Sequence, residues 1–126
     1  MNAKDTIYQI IHQQGYITVD RYFQITSDAY YRNNQAVGVD FATSPEISQL
    51  FGEIIGIWTA NQWIKKGSPR QINLLELGPG KATLMNDLLR ATKHIEGFQA
   101  SLNIYLYDIN PTLIKIQKER LQQYDK

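Results

Sequence analysis

Leu74-Leu75-Glu76-Leu77-Gly78-Pro79-Gly80-Lys81-Ala82-Thr83-Leu84 changes from apolar alternation to a glycine turn to helical spacing within a few residues. Three leucines around one carboxylate read as a buried strand. It stops at a Gly-Pro-Gly turn and feeds a helix carrying Leu84, Met85, Leu88 and Leu89. Strand, turn and helix in that order make a nucleotide pocket. A side chain at Gly78 or Gly80 would block close approach of a ligand to the backbone, and glycine tolerates positive φ in such a turn. The N–H groups of the following helix's first turn point at whatever lies there.

Spacing narrows the choice of nucleotide. A dinucleotide fingerprint, G-x-G-x-x-G, needs a third glycine where Thr83 stands, which leaves an NAD-binding Rossmann protein as the runner-up. A phosphate loop needs a glycine where Leu75 stands and Ser or Thr where Ala82 stands. What remains is an acid two places before G-x-G: Glu76, Gly78 and Gly80. That order resembles motif I of the class I S-adenosylmethionine-dependent methyltransferases. The resemblance implies that Glu76 and the turn Gly78-Pro79-Gly80 border the methionine and ribose parts of S-adenosylmethionine. The motif's usual third glycine is Ala82 here, and its methyl group is expected to crowd the cofactor.

With 126 residues and 43% hydrophobic content the chain suits one domain, burying roughly two-thirds of its unfolded surface. A net charge of +1, from 13 basic and 12 acidic side chains with no long like-charge run, leaves no footprint for nucleic acid or an anionic membrane. No nucleic-acid partner is expected. The absence of cysteine excludes disulfides, thiol nucleophiles and cysteine-ligated metals, and fits a reducing cytosol. No run approaches the roughly 20 apolar residues of a membrane span, and Met1-Asn2-Ala3-Lys4-Asp5 has no apolar core behind it. The expected location is therefore cytoplasmic, or mitochondrial only for a eukaryotic source, since no targeting peptide is visible.

From the N-terminus, Ala3 to Gln14 reads as a helix with Ile7, Ile10 and Ile11 on one stripe and Gly15 at its end. Thr18 caps a second, short helix through Val19, Tyr22 and Phe23. From Thr26 to Val39 the chain reads as a polar loop bearing Tyr30 and Tyr31, either a lid over a site or plain surface. A helix then starts near Thr43. With Thr43 as cap, Glu46 completes a capping box; with Ser44 as cap, Pro45 takes the first helical position. Ile47, Leu50, Phe51, Ile54, Ile55 and Trp58 recur at three and four, giving an apolar face read mostly as core. It continues to Trp63, and Lys65-Lys66-Gly67 ends the helix.

After the glycine-turn helix, His94 to Ser101 is a connector, and Leu102 to Tyr107 alternates as a second strand ending in Asp108. An acid at that strand end can accept hydrogen bonds from both ribose hydroxyls, although Asp108 lies farther from the glycines than the roughly 20 residues usual in dinucleotide folds. The alternative is a surface turn residue. Asn110-Pro111 caps a last helix whose Leu113, Ile114, Ile116, Gln117, Arg120 and Leu121 form a mixed stripe. His12 and His94 have no partners at metal-ligand spacing, so no metal is expected.

Taken together, DFATSPEISQLFGE at 40–53, a Trp-bearing helix, LLELGPG at 74–80 and LYDINPTLIKIQKERL at 106–121 are similar to the N-terminal third of the MidA family. That family includes the mitochondrial complex I assembly methyltransferases, and the resemblance runs from about Gly15 to Leu121. It implies S-adenosylmethionine as cofactor and a protein substrate, an arginine of a complex I subunit. It also implies that Asp40, Thr43, Pro45 and Glu46, which match the family's GDFxTxPEIS signature, sit beside cofactor or substrate. Asp40 or Glu46 would orient the guanidinium as the catalytic carboxylate; Glu46 as a mere capping partner is the alternative. Val39 stands where the family has glycine, and the segment between Gly15 and Tyr31 is shorter than the family's.

The fold expected is α/β: a partial Rossmann-like class I methyltransferase fold, its first two parallel strands with their helices, preceded by an N-terminal helical segment. Residues 1–70 form that segment and 71–126 the first half of the cofactor domain. Relatives continue past the second strand where this chain ends at Lys126, so it is expected to be truncated and to expose a sheet face and edges. A second chain or a homo-oligomer would complete the sheet. A non-catalytic binding or assembly module and an inactive gene remnant are the alternative functions.

Overall fold

A computed structural model describes residues 2–32 and 42–124. The chain divides into two compact units, Met1–Phe41 and Ala42–Lys126. In the first, α1 (Ala3–Gln14) opens on Asn2, whose side chain accepts from the Asp5 N–H at 2.8 Å. It closes on Gly15, left-handed at φ 81°, as its spacing predicts. The second helix, α2 (Val19–Arg32), is longer than expected and overturns part of the loop reading. Thr26 to Arg32 contains neither glycine nor proline to stop a helix. Instead the Thr26 hydroxyl donates back to the Tyr22 carbonyl at 2.9 Å, and Asp28 and Arg32 pair one turn apart at 3.5 Å. The rest of the expected loop, with Asp40, lies outside the described residues.

The second unit runs α3 (Ser44–Ile47), α4 (Gln49–Lys65), β1 (Ile72–Leu77), α5 (Thr83–Thr92), α6 (Phe98–Ser101), β2 (Leu102–Tyr107) and α7 (Pro111–Leu121), followed by a 3₁₀ turn over Gln122–Tyr124. The strands pair in parallel, with Glu76 opposite Leu106 and Leu77 opposite Tyr107. This is the expected partial α/β fold. Because the unit begins at Ala42, α3 and α4 group with the sheet although the sequence places them in a segment spanning 1–70.

The single helix expected from Thr43 to Lys66 is broken at Ser48. Ser48 is extended, with φ −147° and ψ 125°, and its hydroxyl accepts from the Leu50 N–H at 3.2 Å, so it starts α4 afresh as a cap. Nor does the capping box form: Thr43 makes no side-chain cap bond.

The face that α4 buries is also not the expected one. Gly52, Gly56, Ala60 and Trp63 are buried, whereas Ile47, Leu50, Phe51, Ile54 and Trp58 are exposed. Of the expected face, Ile55 packs against buried side chains and Trp63, at its far end, is buried in the core. The helix is apolar nearly all round, so periodicity could not choose between faces. Close approach chose: a Cβ at Gly52 would lie 2.7 Å from the Asp87 Cβ, and one at Gly56 3.0 Å from the Leu88 Cα and carbonyl oxygen. Here α4 meets α5 almost backbone to backbone.

Two small cores follow. Ala60, Trp63 and Phe98 gather Ile72, Ile95 and Leu102; the Trp63 indole N–H donates to the Pro69 carbonyl at 2.9 Å, and Phe98 sits edge-on at 5.5 Å. Phe98 lies in α6, inside what reads as a plain connector, and is fully buried. Met85, Leu88 and Leu89 of α5 gather Leu74, Ile104 and Leu106 from the sheet and Leu121 from α7. Both strands therefore bury alternate residues only. Leu75, Leu77, Tyr105 and Tyr107, between 53% and 70% exposed, form an open apolar face. The strand read as buried is buried on one side.

Candidate functional site at the carboxyl ends of the strands

The turn after β1 is stitched to the end of β2: the Gly78 N–H donates to the Tyr107 carbonyl at 2.9 Å. Gly78 and Gly80 have φ of 64° and 55°, and a Cβ at either would meet nothing within 4 Å. Glycine is required there by conformation, and the side from which a ligand would approach is open. Pro79 is buried beneath the turn, its carbonyl accepting from the Ala82 N–H at 2.8 Å.

Ala82 is left-handed too, at φ 57°, which costs roughly 1–2 kcal/mol in a residue with a side chain. It is 0% exposed, so its methyl group points into the protein. The protein's own atoms cover that methyl group.

Strand alternation puts Glu76 and Asp108 on one face. Ile72, Leu74 and Glu76 point to the covered side, as do Leu102, Ile104 and Leu106, and Asp108 continues that parity two residues on. Glu76 is half-buried, one carboxylate oxygen lacks any hydrogen-bond partner, and burial pushes its carboxyl up to about 7.

Each oxygen of Asp108 holds one donor. One oxygen accepts from the Asn110 N–H at 2.9 Å, the other from the Gln117 side-chain amide at 2.9 Å. The same Gln117 nitrogen donates to the Gly80 carbonyl at 2.8 Å, so one side chain of α7 joins the acid to the glycine turn. Beside them, between β2 and α7, lies a cavity of about 320 Å³ lined by Ile104, Leu106, Asp108, Ile114 and Gln117. Glu46, on α3, accepts from the Thr83 hydroxyl at 2.5 Å, and Thr83 in turn accepts from Arg120 at 2.5 Å. That places Glu46 at the first residue of α5, just past the turn. Thr43 stands exposed at the start of α3.

Sequence reasoning missed Gln117, Thr83 and Arg120 as members of this neighbourhood. Gln117 carries the one signal that could have found it: a polar side chain among Leu113, Ile114, Ile116 and Leu121 needs a buried partner. Among the described residues no three acidic or histidine side chains could hold a metal ion, and no helix is long and apolar enough to cross a membrane.

Residues 54–126 match the family described as "Putative S-adenosyl-L-methionine-dependent methyltransferase". The chain is 41% identical over 119 residues to the mitochondrial protein arginine methyltransferase NDUFAF7 of Xenopus laevis, covering 88% of this chain and 27% of that protein. The Drosophila melanogaster homolog of NDUFAF7 is 43% identical over 93 residues, 72% of this chain and 21% of its own length. The Homo sapiens protein is 37% identical over 115 residues, 85% and 26%. This chain spans about a quarter of the length of these curated relatives.

Proposed function

The chain belongs to this S-adenosyl-L-methionine-dependent methyltransferase family, and on that footing we propose that residues 71–126 are the first half of the cofactor-binding domain of a MidA-type protein arginine methyltransferase. Residues 1–70, ahead of it, carry the DFATSPEIS signature. The observation that carries the reading is an open glycine turn flanked by two carboxylates, Glu76 near the end of β1 and Asp108 directly after the adjacent parallel β2. The residues present fit the cofactor. The orphaned oxygen of Glu76 suits an ammonium group, Gly78 and Gly80 leave room against the backbone above the buried Pro79, and Asp108 suits a ribose diol.

When bound, S-adenosylmethionine supplies the electrophilic methyl group. The protein's part is to position: Glu76 and Asp108 anchor the two ends, and the first-turn N–H groups of α5 orient what lies against the turn. Glu46 and Asp40 are assigned to orienting a guanidinium, and Thr43 to the cofactor's surroundings. Glu46 is supported by its seat at the start of α5. The methyl acceptor proposed is an arginine of a complex I subunit. The relatives carry "mitochondrial" in their names, which supports a mitochondrial setting in a eukaryotic source and lends nothing to a cytoplasmic one.

The open face of Leu75, Leu77, Tyr105 and Tyr107 is assigned to a further polypeptide, or to a second copy, that covers it while completing the sheet at its edge, because parallel sheets are stable when both faces are covered. The test is calorimetric titration of the purified chain with S-adenosylmethionine, and with NAD as control. Saturable heat with the first and none with the second is expected. No heat and no thermal shift at millimolar S-adenosylmethionine would overturn it. The alternative reading is a cofactor-binding or assembly module without turnover. Binding without methylation of any arginine peptide would select it.

A further inference from the structure

We propose that Gln117 is a positioning residue of this site, its amide tying the Asp108 carboxylate to the Gly80 carbonyl so that the acid keeps two free acceptor positions for a cis-diol. The inference rests on the cofactor reading above and deepens it. Gln117 is 4% exposed. A buried primary amide is costly unless its hydrogens find acceptors, and here both do: Gly80 at 2.8 Å and Asp108 at 2.9 Å. Removing the side chain would leave a carbonyl and a carboxylate oxygen short of a donor.

The count of lone pairs gives the arrangement its meaning. An ionised carboxylate offers about four acceptor sites. The Asn110 N–H takes one on the first oxygen and Gln117 one on the second, leaving one on each. A donor on each oxygen also stops the carboxylate from rotating, so the two remaining sites face a fixed direction. Two vicinal hydroxyls, each donating to a different oxygen, complete that set. Both donors come from α7 or its cap, since Asn110 also starts the helix by accepting from the Thr112 and Leu113 N–H groups. The helix after β2 thus sets the geometry of the acid at the end of β2. An apolar residue at 117 would pack with Ile114 and Leu121 and leave the carboxylate free to turn.

The experiment compares S-adenosylhomocysteine with its 2′,3′-dideoxy analogue on the wild-type chain and on Gln117→Met, which keeps the length and apolar packing. The wild type should prefer the diol by tenfold or more, and the variant's preference should fall to within about threefold. A role confined to packing would weaken both ligands equally and leave the ratio unchanged, which would overturn the proposal. If Gln117→Met gives no cooperative thermal transition, Gln117→Leu, which is shorter and also has no donor, takes its place with the same expectation. If the wild type binds neither ligand, the cofactor reading fails by itself. The proposal is then decided by amide exchange, where Gln117→Met should speed exchange of the Asn110 N–H and leave that of Gly78 unchanged; equal exchange at both would overturn it.

Discussion

At Glu76 a single carboxyl carries opposite demands of stability and function. It is half-buried with one oxygen unpartnered, and burial raises it to about 7. Below the ordinary carboxylate range the folded and unfolded chains are both protonated there and nothing is lost. As pH rises towards 7 the unfolded chain releases the proton first, so the stability contributed by the neutral form is lost through that window and stays lost above it. Partial exposure keeps the penalty to about 1 kcal/mol. Glu76→Gln should therefore raise the melting temperature at pH 8 by a few degrees and leave it unchanged at pH 4. An ammonium ligand needs the charged form, so S-adenosylmethionine should bind the wild type more tightly at pH 8 than at pH 6, checked by calorimetry at the two values. Glu76, Gly78, Gly80 and Asp108 were legible because each answers to a local rule: an acid and two glycines around a tight turn, and an acid ending an alternating strand. Gln117 and Thr83 were not, because their partners lie 37 positions away in sequence.

At the scale of elements, α1, β1, α5, β2 and α7 follow from period and caps. By contrast, α4 does not, since a helix apolar on every side conceals which stripe is buried, and the glycine pair that decides the matter reads as weakness in a helix. Adding one methyl at Gly56 would push a Cβ against the Leu88 backbone at 3.0 Å. Gly56→Ala should cost about 1–2 kcal/mol despite the better helix propensity, whereas Ile57→Ala, on the exposed side, should stay within about 0.5 kcal/mol. Thermal or denaturant unfolding of the two variants checks this. Equal effects would mean that the helix packs through its large side chains instead. The break at Ser48 belongs to the same scale: a serine inside an apolar period competes as a cap, and periodicity alone does not see it.

For the whole molecule the governing fact is that, among the described residues, one face of the parallel sheet is exposed. Leu75, Leu77, Tyr105 and Tyr107 form that face, and a net charge of +1 offers little repulsion against association. The isolated chain should associate with rising concentration, its weight-average mass in sedimentation climbing above 14.5 kDa, and Leu77→Lys should suppress the climb. A monomer at all concentrations would contradict the assignment of that face to a protein partner. The exposed face was legible in advance from the count of strands; the boundary between the two units at Ala42 was not, because it is a matter of which contacts form.

The claim that Glu76 and Asp108 serve the two ends of one ligand is tested most directly by measuring S-adenosylmethionine and adenosine against two variants by calorimetry. Asp108→Asn should weaken both ligands by tenfold or more, while Glu76→Gln should weaken S-adenosylmethionine and leave adenosine unchanged. Variants that bind both ligands as the wild type does would contradict the account.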